Sequence, residues 1–247
     1  VNIGLLRRAV PFRIIAGALL TITAARGADL LVAAASDVAP LTSALEKGFT
    51  LAALRFTTGS SGSLQKQIEN GAPYDVFLSA NEQYVKDLAA KGLIDPATVV
   101  IYATGGLGLW SADGRVKSIE DLTKPEVKHI AIPNPEFAPY GIAARKTLET
   151  RGLWKRVESK IVYGENVRQA LQFAESRNAE AVITSWTLLK GRGVLLPAEW
   201  HDPIRQAGGV VKKTKRAETA REFLRFVMGP DGRKIFESGG LFPSDIR

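Results

Sequence analysis

The sequence predicts an α/β fold with mostly parallel strands, and three observations point there. From Asp29 onward, short apolar runs of strand length alternate with amphipathic runs of helix length. The helical runs end on marked stops, Asn70-Gly71, Lys91-Gly92, Arg151-Gly152 and Gly229-Pro230. Finally, 45% of the 247 residues are hydrophobic, enough to fill one large domain or two modest lobes.

In chain order, the strand candidates are "LLVAAAS", "LRFTTGS", "YDVFLSA", "VVIYATGGLGLW", "HIAIPN", "SKIVYG" and "EAVITS". Between them the 3.6-residue periodicity predicts helices over Pro40 to Lys47, Leu64 to Asn70, Asn81 to Lys91, Tyr140 to Thr150 and Val167 to Asn178. A closing helical pair runs from Ala217 to Glu237. There is no internal repeat.

The amino end reads as a secretory leader over residues 1–27. Arg7, Arg8 and Arg13 precede the apolar run Ile14 to Ile22, and Ala25-Arg26-Gly27 offers small residues for cleavage. Removing it takes away four arginines and no acid, so the net charge falls from +8 to +4. That balance, with Lys212 to Arg216 as the one tight basic run, argues against a nucleic-acid partner. The absence of cysteine excludes disulfides, thiolate metal sites and a lipid-modified cysteine anchor. The expected product is a free, exported, monomeric protein in the periplasm.

In open α/β sheets, ligands collect where strand ends meet helix starts. Four such junctions share a character: "AAASD" at Ser36, "GSSGS" at Ser61, "PEFAPYG" at Tyr140 and "GENVRQAL" at Val167. Each presents backbone N–H groups at a helix start, and the first two add hydroxyls. Brought together, they would form a site of positive partial charge and directed donors, suited to a small anion. A fully ionised tetrahedral dianion only accepts hydrogen bonds, so its pocket should avoid carboxylates. Asp37, the acid next to Ser36, is expected to complement the helix dipole while facing solvent; were it to face the site, an anion that keeps a proton, such as phosphate, would be favoured.

Other chemistries fit less well. A serine hydrolase using Ser61 is the alternative from another class, but "GSSGS" misplaces the glycines of the nucleophile elbow, and the two histidines, His129 and His201, lie in surface-like contexts. The Gly-Lys-Ser/Thr ending of a P-loop is missing. No ligand-spaced cluster of acids and histidines suggests zinc.

The blocks "VAAASD", "TTGSSGSLQKQIENGAPYDVFLSA", "IAIPNPEFAPYG", "GENVRQALQFAESRNAEAVI" and "AETAREFLRFVMGPDGRKIFESGG" resemble the periplasmic molybdate-binding proteins of ABC importers, over the chain from about Asp29 onward. The resemblance implies a two-lobed periplasmic-binding-protein fold of type II, with a ligand cleft between the lobes. It implies lobe one at 28–106 plus 201–247, lobe two at 107–200, and crossovers at "ATGGLG" and "QAGGVV". It further implies molybdate, and also tungstate, as ligand, a membrane permease as partner, no cofactor and no catalysis. Carried over residue by residue, Ser36 and Ser61 would give hydroxyl and N–H donors, and Tyr140 and Val167 backbone N–H donors, all to the anion's oxygens with no ligation of the metal atom itself. Several relatives place a tyrosine hydroxyl where Ser185 stands here, which makes Ser185 a weaker candidate and Thr184 a weaker one still. A sulfate or thiosulfate carrier is the near alternative.

Overall fold

The computed structural model describes residues 27–244. The leader expected over residues 1–27 lies, up to Arg26, outside the described residues. The chain runs β1 (Gly27–Ala35), a 3-10 turn (Ser36–Leu41), α1 (Thr42–Gly48), β2 (Ala52–Gly59), α2 (Ser61–Glu69), β3 (Val76–Ser79), α3 (Glu82–Ala90), β4 (Val100–Gly105) and β5 (Leu107–Trp110). It continues through β6 (Ile130–Pro133), α4 (Pro139–Thr150), α5 (Trp154–Val157), β7 (Ile161–Gly164), α6 (Val167–Glu175), β8 (Ala181–Ser185), α7 (Trp186–Leu189) and β9 (Val194–Leu195). The closing elements are β10 (Ile204–Val210), α8 (Ala217–Met228) and α9 (Pro230–Ser238).

These strands form two five-stranded sheets, ordered β2-β1-β3-β10-β4 and β7-β6-β8-β5-β9. Both are mixed. In the first, β1 runs parallel to β2 and β3 while β10 is antiparallel to β3 and β4; in the second, β6 runs parallel to β7 and β8 while β5 is antiparallel to β8 and β9. The reversed strand in each sheet is the first one laid down after the chain passes from the other sheet. Alternating βα units build the parallel part, and each passage between sheets inserts its strand head to tail.

The run "VVIYATGGLGLW", expected as one strand, is therefore two. Its break at Gly106 carries the chain between sheets, where a Cβ would lie 2.7 Å from the Phe242 ring and 3.1 Å from Leu195. The passage is braced from outside, because the Phe242 N–H donates to the Thr104 carbonyl at 2.8 Å and the Thr104 N–H returns the bond at 2.9 Å. The second crossover differs from expectation. "QAGGVV" lies almost wholly within β10, paired with β3 and β4, and the chain instead crosses upstream, after the Leu196 N–H donates to the Leu107 carbonyl of the second sheet. Its glycines serve close packing: a Cβ on Gly208 would meet Leu78 at 2.8 Å and one on Gly209 would meet Ile94 at 2.6 Å.

Each sheet is covered on its faces. One face of the first sheet packs α1, α8 and α9 through Leu45, Phe223 and Phe236, with Phe223 edge-on to Phe49 at 5.3 Å between ring centroids. The other face packs α2 and α3 through Leu64, Ile68, Val85 and Leu88. The second sheet buries Leu109, Ile130, Ile132 and Ile183 against α4 and α6. The α8 pattern Ala220, Phe223, Leu224, Val227 is the apolar stripe that the 3.6-residue period anticipates. No helix among the described residues is long and apolar enough to cross a membrane.

Candidate functional site

The ends of β1, β2 and β3 in one sheet face the starts of α4 and α6 on the other. A small cavity of about 10 Å³ lies between them, lined by residues 35–37, 59–61, 80, 138–140 and 166–167. Ser36, Ser61, Tyr140 and Val167 are all in this lining, drawn from four chain segments and both sheets. All four are buried, at 1–4% exposure.

Local capping explains why these residues still have donors to offer. Ser60, not Ser61, caps α2: its Oγ accepts from the Ser63 N–H, leaving the N–H of Ser61 at the first helical position without an intrahelical partner. The Ser61 Oγ accepts from the Ala80 N–H at 2.9 Å, which directs its own proton elsewhere. At α6, the Asn166 side chain accepts from the Arg168 and Gln169 N–H groups and leaves the Val167 N–H. At α4, Pro139 removes one orphan donor, and the Tyr140 N–H follows it at the second helical position. The Ser36 hydroxyl makes no hydrogen bond to any described residue. Pro40 lies inside a 3-10 turn, Ser36–Leu41, and the α-helix expected from Pro40 begins only at Thr42.

Two expectations are corrected. Ser185 is outside the cavity lining: β8 ends on it, α7 begins at once, and its hydroxyl pairs with Thr187 Oγ1 at 2.7 Å, next to the Tyr140 hydroxyl. Thr184 turns away as well, donating to the Val167 carbonyl at 2.9 Å. Asp37 does not face solvent. It is 1% exposed and lines the cavity, so the lining does contain a carboxyl group. Its Oδ2 accepts from the Tyr140 hydroxyl at 2.9 Å and from Gln206 Nε2 at 2.8 Å, and its Oδ1 has no hydrogen-bond partner. The Tyr102 hydroxyl donates to Gln206 Oε1 at 3.2 Å, completing a buried chain from β4 and β10 to α4.

Burial pushes the Asp37 carboxyl up from 3.8 to about 6, against the pull of Tyr140, its own N–H, Gln206 and the Val38 N–H. Burial, together with the charge of Asp37, holds the Tyr140 and Tyr102 hydroxyls well above the ordinary tyrosine value. The stability consequence has a definite sign. Between pH 4 and 6 the folded state holds the Asp37 proton that the unfolded chain has released, so this group favours the fold fully below about pH 4. That contribution fades as pH rises through 6, by about 3 kcal/mol in all. Asp37→Asn is expected to remove that component of the slope, as read by urea unfolding at pH 4, 5, 6 and 7 against the parent.

The same wall carries contacts between the sheets that need no ligand. The Gly62 N–H of α2 donates to the Phe137 carbonyl, just before α4, at 2.9 Å. Lys66 Nζ stands 4.4 Å from the centroid of the Phe137 ring, and Thr187 Oγ1 donates to the Asp37 carbonyl at 2.8 Å. Sequence reasoning missed Gln206, Thr187 and the Tyr140 side chain. No motif marks a glutamine in a strand, and nothing in "PYG" tells a buried hydroxyl from an exposed one.

Neither His129 nor His201 lines the cavity, and no cluster of metal-ligating side chains occurs among the described residues. Ser61 therefore has no histidine base. No lysine or arginine lines the cavity either. What the arrangement offers is a set of uncharged donors from both sheets around a small space, with the Asp37 carboxyl beside them.

The profile described as bacterial extracellular solute-binding protein matches residues 20–242. The chain is 34% identical over 239 residues to the molybdate-binding protein ModA of Azotobacter vinelandii, covering 91% of this chain and 94% of that one. It is 32% identical over 190 residues to the molybdate-binding protein ModA of Rhodobacter capsulatus, covering 75% of each. Among solved structures, the periplasmic molybdate-binding protein of Azotobacter vinelandii superposes with a TM-score of 0.82 at 31% identity, over 86% of this chain and 98% of that one.

Proposed function

This chain belongs to the bacterial extracellular solute-binding protein family, and from that premise we propose that it captures molybdate, and also tungstate, outside the cytoplasmic membrane and delivers it as a monomer to the permease of an ABC importer. Its family places it among binding proteins rather than enzymes. The observation that carries the ligand reading is the convergence of Ser36, Ser61, Tyr140 and Val167 on one cavity whose lining has donors and no cationic side chain. Helix starts supply partial positive charge and fixed N–H directions, and an enclosed site makes each such bond worth more than it is in water.

In this reading, Ser36 and Ser61 hold the anion from the first sheet and Tyr140 and Val167 from the second, so the ligand itself ties the two lobes. Closure is then a hinge motion about the two passages between sheets, and the closed shape is what a permease reads. The similarity in sequence and fold to molybdate-binding proteins supports the choice of anion, and the small cavity supports an inorganic rather than an organic one.

The test is calorimetric titration of the purified protein with molybdate, tungstate, sulfate and phosphate. Saturable binding of molybdate and tungstate at one site per chain, with sulfate at least ~100-fold weaker, is the expected result, and tight phosphate binding would instead make Asp37 the acceptor for a protonated anion. Tight sulfate binding without molybdate binding would reassign the chain to sulfate or thiosulfate capture.

A further inference from the structure

Asp37 fits poorly beside an anion if it is ionised. It lines the same cavity as the four donor residues, is almost wholly buried, and has one carboxyl oxygen saturated and the other without a partner. The two oxygens are thereby made unequal. Oδ2 takes hydrogen bonds from both the Tyr140 hydroxyl and Gln206 Nε2, which commits it to accepting. Any proton on this carboxyl therefore belongs on Oδ1. Held there, it converts the one carboxyl group in the lining into another donor.

Resting on the oxyanion reading above, we propose that Asp37 is a ligand-contacting residue that works as a neutral acid: the anion binds together with one proton from solvent, carried on Oδ1 and donated to an anion oxygen. No other bond is made or broken. No cationic side chain lines the cavity to offset the charge of the ionised carboxyl. The titratable groups facing it are Tyr140 from α4 and Tyr102 from β4, both held neutral. From α7 it meets Thr187, from β10 Gln206, and from α6 Val167 lines the same cavity, none of them charged. Arg168, Glu175, Lys190 and Arg192 line a separate groove beyond Ala39 and Pro40. The carboxyl is already raised to about 6 by burial, and a dianion alongside raises it further, because like charge disfavours ionisation.

Linkage then fixes the pH profile. Where the bound state holds the proton and the free state does not, affinity falls about tenfold for each pH unit gained. The affinity of the parent for molybdate is expected to be flat below about pH 6 and to fall at that rate above it. Calorimetry at pH 7.5 in two buffers of different ionisation heat should report uptake of about one proton per molybdate. Asp37→Asn keeps the shape, with its amide oxygen accepting from Tyr140 and Gln206 and its NH₂ donating in place of the acid. That variant should take up no proton, bind with a flat profile from pH 5.5 to 8.5 in roughly the same buffers, and exceed the parent at the alkaline end. Molybdate binding by the parent with no proton uptake and a flat profile overturns the role of Asp37 and leaves the oxyanion reading standing. Absence of molybdate binding at every pH overturns both. The buffer comparison needs only the parent, so the outcome does not depend on the variant folding.

Discussion

Ser61→Asp is expected to abolish molybdate capture while leaving the fold intact. The serine Oγ accepts from the Ala80 N–H, a role a carboxylate oxygen fills equally well, so the helix start should hold. The charge is another matter. A carboxylate about 4 Å from a dianion at an effective dielectric near 20 is repelled by about 4 kcal/mol per unit charge. Its escape, taking up a proton at pH 7.5, costs about 5 kcal/mol from an ordinary aspartate. Against a dianion the repulsion doubles, so protonation is the cheaper course, and its cost alone predicts weakening of at least ~10³-fold. Ser61→Ala removes the donor alone and should weaken binding about 5- to 150-fold. Ser36→Asp and Ser36→Ala should show the same ordering. Titration calorimetry with thermal melts as the fold control reads both series; aspartate variants that bind like the parent would place the anion elsewhere.

Gly62→Ala carries the second large effect, and it acts without touching the anion. Gly62 comes so close to the opposing lobe that its N–H bonds the Phe137 carbonyl, and a Cβ would sit 2.9 Å from that oxygen and 3.1 Å from the Phe137 Cα. Both are backbone atoms and cannot swing away, so the lobes must part. Overpacking of this kind costs about 1 to 3 kcal/mol and the strained hydrogen bond about 1 more, which predicts an affinity loss of about 30- to 1,000-fold. Within α2, alanine is favoured over glycine by up to about 1 kcal/mol, so the melting temperature should hold or rise. Affinity and stability moving in opposite directions is the signature. Small-angle scattering should show the parent compacting with saturating molybdate and the variant remaining more open. Parent-like affinity in Gly62→Ala would mean that binding does not require this approach of the two lobes.

The α/β alternation was legible because local patterns created it. The stripe Ala220, Phe223, Leu224, Val227 and the stops at Gly71, Gly92 and Gly152, all at positive φ, mark helices by chemistry that acts within one turn. The helix starts at Ser61 and Val167 were legible for the same reason. The mixed direction of the sheets was not, since β5 and β10 are reversed by where the chain crosses, a long-range property that neither composition nor period encodes. The resemblance put a crossover at "QAGGVV", whereas Gly208 and Gly209 lie in a paired strand and are small to let Leu78 and Ile94 pack. Asp37 misled in a different way. At the start of a helix an acid is well placed in solvent, and only Gln206, 169 residues further on, and Tyr140 reveal that it is enclosed.

The reciprocal bonds between Phe242 and Thr104 give the passage at Gly106 a splint made from a distant part of the sequence. Bending there must flex two backbones side by side, which makes the joint stiffer than a bare pair of glycines and favours swinging over twisting. A tether or bulky reporter placed just downstream of Phe242 therefore loads the pivot itself and slows capture and release. One carried on the exposed turn at Leu51 leaves the swing free.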